Sequence, residues 1–218
     1  MKNKTKIIIV RHGESLGNAE RRLLGHTDLD LSDLGYKQAE ATAEYLKNEK
    51  IDAIYSSDLK RAYNTALAHA KLRNLPVITD PDLREVYHGD WEGRTVSEVF
   101  EKYGDMLERE VLGNFIGLTI PGGESFDAAG ERFFNAVKRI AEENAGKTVL
   151  IGAHGAILRV FWVKISKVLP EEIAEKVPLP TNGSYQVIDY SDGKFTPVSY
   201  SNDAHLAGVG ITNIIEKE

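Results

Sequence analysis

Two histidines in this chain stand directly behind apolar runs, each with a glycine after it. Ile7-Ile8-Ile9-Val10 leads into Arg11-His12-Gly13, and Val149-Leu150-Ile151-Gly152-Ala153 leads into His154-Gly155. A third apolar segment, Ile51 to Tyr55, leads through Ser56-Ser57-Asp58 into Lys60-Arg61. Brought to one place, Arg11, His12, Arg61 and His154 would repel one another unless an anion joined them. The planar fork of an arginine matches phosphate oxygens, so the cluster reads as a phosphate cradle. One imidazole could then act as nucleophile and form a covalent phosphoryl intermediate. The remaining charges would stabilise the equatorial oxygens during transfer. Gly13 and Gly155 would let the backbone approach the ligand, and a helix start after His154 would add its dipole.

An alkoxide leaves poorly, so a proton donor is also required. Glu85, after Leu83-Arg84, is best placed, with Asp82, Asp90 and Glu92 competing on spacing alone. A partly buried carboxyl group near an anion holds its proton more tightly, which suits acid work and then base work on water.

These residues converge only if particular elements carry them. Lys6 to Val10, Ile51 to Tyr55, Pro76 to Ile78 and Thr148 to Gly152 read as short apolar strands. Between them lie helices: Ser32 to Asn48 with Ser32 as N-cap, Asp58 to Leu72, and a segment in which Phe126, Ala129, Phe133, Val137 and Ile140 recur at helical spacing. Another helix begins near Ala156. This alternation predicts an α/β fold, a three-layer α/β/α sandwich with a mostly parallel central sheet. Ser184 to Tyr190 and Lys194 to Ser201, flanking Ser191-Asp192-Gly193, predict a terminal antiparallel hairpin. In an open parallel sheet, ligands sit outside the carboxyl ends of the strands, where the cationic residues fall. The glycine-rich stretch from about Arg84 to Glu124 breaks the rhythm and reads as an insertion bordering the site, with a helix or two of its own. No repeat or linker divides the chain, so residues 1–218 are expected to form one domain.

With 218 residues, 42% of them hydrophobic and 28% charged, the composition is that of a globular protein. The net charge of −6 argues against nonspecific nucleic-acid binding. No apolar run approaches the length that spans a bilayer. The run behind the basic start is too short for a signal peptide, so a cytoplasmic protein is expected. The absence of cysteine removes disulfides, thiolate catalysis and cysteine metal sites.

Taken singly, Arg11-His12-Gly13 is an ordinary strand exit, Arg61 a helix-surface arginine and His154 a packed histidine. Their coincidence at strand ends carries the reading. Arg11-His12-Gly13-Glu14-Ser15 with Asn18, Ser57-Asp58-Leu59-Lys60-Arg61-Ala62, Leu83-Arg84-Glu85 and His154-Gly155 occur in an order that resembles the histidine phosphatase superfamily, the phosphoglycerate-mutase-like group. The resemblance spans nearly the whole chain. It implies that His12 is phosphorylated, that Arg11, Arg61 and His154 hold the phosphoryl group, and that Glu85 is the proton donor. It places Asn18 and the loop Leu24-Gly25-His26 against substrate, and it implies neither metal nor organic cofactor. His88 and Gly155 are further candidates for binding substrate. His205 could close the site or merely pack, and His69, inside a helix, reads as structural.

The mutase branch typically reads Glu-Arg-His-Tyr-Gly after the acid. Glu85-Val86-Tyr87-His88-Gly89-Asp90-Trp91-Glu92-Gly93 departs from that, and with Pro121-Gly122-Gly123-Glu124-Ser125 it resembles the broad-specificity and sugar-phosphate phosphatases. The expected activity is hydrolysis of small phosphorylated metabolites. The alternatives are a 2,3-bisphosphoglycerate-dependent phosphoglycerate mutase and a phosphate-binding or regulatory domain without turnover. Loss of His12, Arg61 or His154 would mark the last, and all three are present.

Overall fold

A computed structural model describes residues 4–213. The strands are β1 (Thr5–Arg11), β2 (Ala53–Ser56), β3 (Val77–Thr79), β4 (Thr148–Ala153), β5 (Tyr185–Ser191) and β6 (Lys194–Asn202). They form one six-stranded sheet in the order β3-β2-β4-β1-β5-β6. The four strands from β3 to β1 are parallel to their neighbours, while β5 and β6 run antiparallel at one edge. The helices are α1 (Leu16–Ala19), α2 (Asp33–Tyr45), α3 (Lys60–Arg73), α4 (Val96–Val111), α5 (Phe126–Glu143), α6 (Gly155–Ser166) and α7 (Ile173–Lys176).

Successive side chains of β1 point to opposite faces, and each face has its own core. Ile7 and Ile9 join a cluster with Phe133, Val137 and Ile140 of α5 and Ile157 and Phe161 of α6. Ile8 and Val10 join Ala66 and Ala70 of α3 and Leu46 at the end of α2. The sheet is therefore sandwiched between two helical layers, as the alternation predicts. Both faces of β1 are covered, which explains why its sequence is continuously apolar rather than alternating. Burying each such branched side chain contributes about 1.5–3 kcal/mol.

Ser32 caps α2, its hydroxyl accepting from Gly35 N. That helix closes at Tyr45, three residues before the predicted end. Helix α3 begins at Lys60 rather than Asp58, which puts Arg61 in its first turn. The segment 84–124 contains a 3-10 turn (Gly89–Trp91) and α4, which a capping box between Thr95 and Glu98 opens and non-helical backbone at Tyr103 kinks into two helical stretches. Among the described residues no helix is long and apolar enough to cross a membrane.

Candidate active site

β4 lies between β2 and β1, so the carboxyl ends of all three open on one crevice. β1 ends at Arg11, and His12 N donates to Ala153 O at 2.9 Å, tying the first histidine to the end of β4. His154 follows the last residue of β4, and the two imidazoles meet edge to face with centroids 5.3 Å apart. His12 Nδ1 lies 2.6 Å from Gly13 O. A carbonyl can only accept, so Nδ1 carries the hydrogen and Nε2 keeps its lone pair. Gly13 N donates to Thr65 Oγ1 on α3 at 3.1 Å. A side chain at Gly13 would collide with the backbone of Gly35, its Cβ only 2.2 Å from Gly35 O. Gly13 thus lets α2 approach the His12 loop, a protein contact rather than the ligand contact expected from the sequence.

Arg11 and Arg61 are buried, at 3% and 1% exposure. Arg11 Nη1 donates to Pro180 O. Its guanidinium lies over Gly155, where a Cβ would stand 3.0 Å from Nε. Arg61 donates from Nη1 to Thr27 O at 2.8 Å and from Nη2 to Gly25 O at 2.7 Å. Burial brings each guanidinium down to about 10, with Glu85 opposing the shift, so both stay charged at neutral pH. Burial, then Arg61 and Arg11, hold the His12 imidazole well below its usual 6.5. Burial, then Arg61 and His12, do the same to His154. The crevice is therefore two fixed cations beside two neutral imidazoles.

Glu85 comes from the chain after β3 and reaches the start of α6. Its Oε1 accepts from Ile157 N at 2.7 Å and Val86 N at 3.0 Å, and its Oε2 from Ala156 N at 3.0 Å. Two of these donors belong to the first turn of α6, whose N-cap residue, His154, makes no side-chain cap bond. Glu85 supplies the missing cap from 71 residues away.

Arg11, His12, Asn18, Leu24, Gly25, Arg61, Glu85, His88 and Gly155 all line one small cavity of about 50 Å³. His154 stands behind it against His12. Arg11 Nε and both ring nitrogens of His88 and His154 are buried without a protein partner among the described residues. Buried polar atoms are nearly always bonded, and an anion in the cavity is the partner their chemistry suits. Asn18 Oδ1 accepts from Ser15 N and Asn182 Nδ2, which leaves its own amide hydrogens for the cavity.

His26 stands one layer back, its Nε2 donating to Glu85 O at 2.8 Å. His205 is remote from this crevice: it bonds Thr42 Oγ1 and stacks on Tyr45 of α2. His69 is fully buried in α3 with its ring nitrogens unbonded, and burial brings it down to about 3.

Three supporting residues escape a sequence reading. Asn182 donates to both His12 O and Asn18 Oδ1. Arg132 on α5 bonds the carbonyls of Arg84 and Glu85 and pairs with Glu124. Glu110 on α4 lines the same cavity. None stands at a strand end, and each acts across more than 45 residues or from a helix whose placement over the site no local pattern reveals.

With this geometry the chain belongs to the histidine phosphatase superfamily (branch 1), whose family model matches residues 7–203. It is 39% identical over 213 residues to a metal-independent phosphoserine phosphatase from Arabidopsis thaliana, covering 94% of this chain and 85% of that protein. Over 209 residues it is 38% identical to phosphoglycerate mutase-like protein 4 of the same plant, covering 94% and 88%. The solved structure of Bacillus stearothermophilus YhfR matches with a TM-score of 0.85 at 28% identity, covering 93% of this chain and 99% of that one.

Proposed function

We propose that the protein is a phosphatase for small phosphorylated metabolites, acting through a phosphohistidine on His12. In this reading the whole chain acts as one domain, with the segment 84–124 bordering the site. The observation that carries the reading is the Nδ1 bond of His12 to Gly13 O beside two buried arginines. It aims an unprotonated Nε2 into a crevice whose fixed charges favour a phosphoryl group.

Nε2 attacks phosphorus, the N–P bond forms and the bond to the ester oxygen breaks. Glu85 gives its proton to the departing alkoxide. Both acceptor positions of Oε1 are filled by backbone N–H groups, whereas Oε2 accepts only one. Oε2 is accordingly the oxygen that carries the transferable proton. The resulting carboxylate then takes a proton from water, whose oxygen attacks phosphorus and releases phosphate from His12. Arg11, Arg61 and His154 surround the equatorial oxygens in both steps.

A relative described as a phosphoserine phosphatase makes phosphoserine the first substrate to test. A relative described as phosphoglycerate mutase-like keeps the mutase reading in view, since both activities share the phosphohistidine. The two separate in one assay. On 3-phosphoglycerate, with and without 2,3-bisphosphoglycerate, release of inorganic phosphate is expected, and isomerisation to 2-phosphoglycerate would replace this reading with the mutase one.

A further inference from the structure

A larger cavity, of about 220 Å³, adjoins the phosphoryl crevice, the two sharing Glu110, Ala156 and Leu179 as walls. Its remaining walls are largely apolar, Phe115, Phe126 and Pro178 among them, and its ionisable groups are Glu110 and Arg159. With a phosphoryl group facing His12 in the crevice that Glu85 lines, this adjoining space is where the alcohol part of a monoester would come to rest.

The two charged groups are not there to hold each other. Arg159, 4% exposed, donates from Nε to Val177 O at 2.7 Å and from Nη1 to the main-chain oxygens of Glu110 and Val111. It forms no ion pair with the Glu110 carboxyl group, and its Nη2 bonds no described residue. Glu110 is 6% exposed, and its Oε2 is buried without a partner. Burial, then the nearby Glu85, push that carboxyl up to about 8, so by itself it keeps its proton at neutral pH and gives it up when a cation lies against it. A lone carboxyl kept this dry is destabilising unless something arrives to bond it. The apolar walls would serve any small alcohol, but a free carboxyl and a free guanidinium edge in one cavity match a group carrying both charges.

We infer that this cavity is a subsite for an α-amino acid, Glu110 receiving the ammonium group and Arg159 the carboxylate of an O-phosphorylated amino acid. The inference rests on the phosphatase reading and narrows its substrate. The two charged groups flank the leaving alcohol, so they select among esters without touching the phosphoryl group. The cavity is the size for one free amino acid rather than a peptide.

The test uses the wild-type protein and three esters that differ by one charged group. O-phosphoserine carries both, O-phosphoethanolamine lacks the carboxylate, and 3-phosphooxypropanoate lacks the ammonium group. O-phosphoserine should have the highest kcat/KM, by about 10-fold to 100-fold over each analogue, as for loss of one charged hydrogen bond. Glu110→Gln should collapse the advantage over 3-phosphooxypropanoate while keeping much of that over O-phosphoethanolamine. Arg159→Gln should do the reverse, with thermal melting confirming that each variant folds. Equal turnover of all three esters by the wild-type protein, with p-nitrophenyl phosphate still hydrolysed, would overturn the subsite and leave the phosphatase reading standing. Failure on p-nitrophenyl phosphate as well would overturn both. A Glu110→Gln loss that follows leaving-group basicity rather than the ammonium group would make Glu110 an acid and overturn its assignment.

Discussion

Arg61 bonds two loop carbonyls with its two terminal nitrogens while holding its positive charge against the phosphoryl crevice. A lysine keeps the charge but cannot span both carbonyls, and it presents a point rather than a fork. Arg61→Lys should therefore lower kcat by about 100-fold to 1,000-fold, the range for removing one preorganised donor. Steady-state kinetics on p-nitrophenyl phosphate check this, and a loss below tenfold would contradict it. Arg11, His12, Arg61 and His154 are legible in the sequence because they follow three apolar runs, Arg11 and His12 behind one, Arg61 in the helix after the second and His154 behind the third. The position of a strand end is a local property, and the parallel sheet does the rest. Asn182 is not legible, since its two bonds reach residues 170 and 164 positions away.

Helix α6 and the chain around Glu85 depend on each other. The carboxyl oxygens of Glu85 accept from Ala156 N and Ile157 N, at the start of the helix, so the side chain both caps α6 and is oriented by it. Glu85→Ala should cost about 1–2 kcal/mol of stability by denaturant unfolding, as for loss of a helix cap. It should slow alkyl phosphates far more than aryl phosphates, whose leaving groups need no proton. Equal loss on both classes would remove Glu85 from the acid role. Gly35 makes the complementary point from α2. A Cβ there would stand 1.9 Å from Glu14 O. Gly35→Ala should therefore push the His12 loop away, destabilising the fold by about 1–3 kcal/mol and lowering kcat together. Unchanged melting would show that the loop yields freely. The helices on either side of the sheet follow from periodicity, but these two contacts do not. Ser32 advertises the start of α2, whereas nothing local says that Gly13 will face Gly35. In the segment 84–124 the capping box Thr95-Val96-Ser97-Glu98 marks the start of α4. The glycine-rich sequence supports only a helix or two without bounds in that segment, and the lie of α4 over the crevice depends on contacts far apart in the chain.

Across the whole molecule, four buried histidines set the acid side of the stability profile. His12, His69, His88 and His154 all have folded-state values pushed below 6.5 by burial first, so the unfolded chain binds more protons at low pH. Their contribution is complete above about pH 6.5 and is lost as the pH falls below it. The buried Glu110, pushed up to about 8, acts in the opposite sense, its effect rising as the pH falls from about 8 to 7. Below about 6.5 the four rings outweigh it, so the melting temperature should drop between about 6.5 and 5, before ordinary carboxylates titrate. A rise on acidification over that lower range would contradict the buried, neutral state of these rings. The same charge cluster predicts that inorganic phosphate stabilises the fold. At about 100 times its Kd the gain is about 2.7 kcal/mol, or about 5–10 °C in a chain of this size, and Arg61→Gln should abolish most of it.

A covalent bond between phosphorus and His12 is open to direct observation. Enzyme mixed with radiolabelled O-phosphoserine and quenched in alkaline denaturant should carry label that survives base and is lost in acid, as a nitrogen–phosphorus bond requires. Peptide mapping should place it on His12, and His12→Ala should carry none. Label on Glu85 or a serine, or undiminished turnover by His12→Ala, would contradict the account.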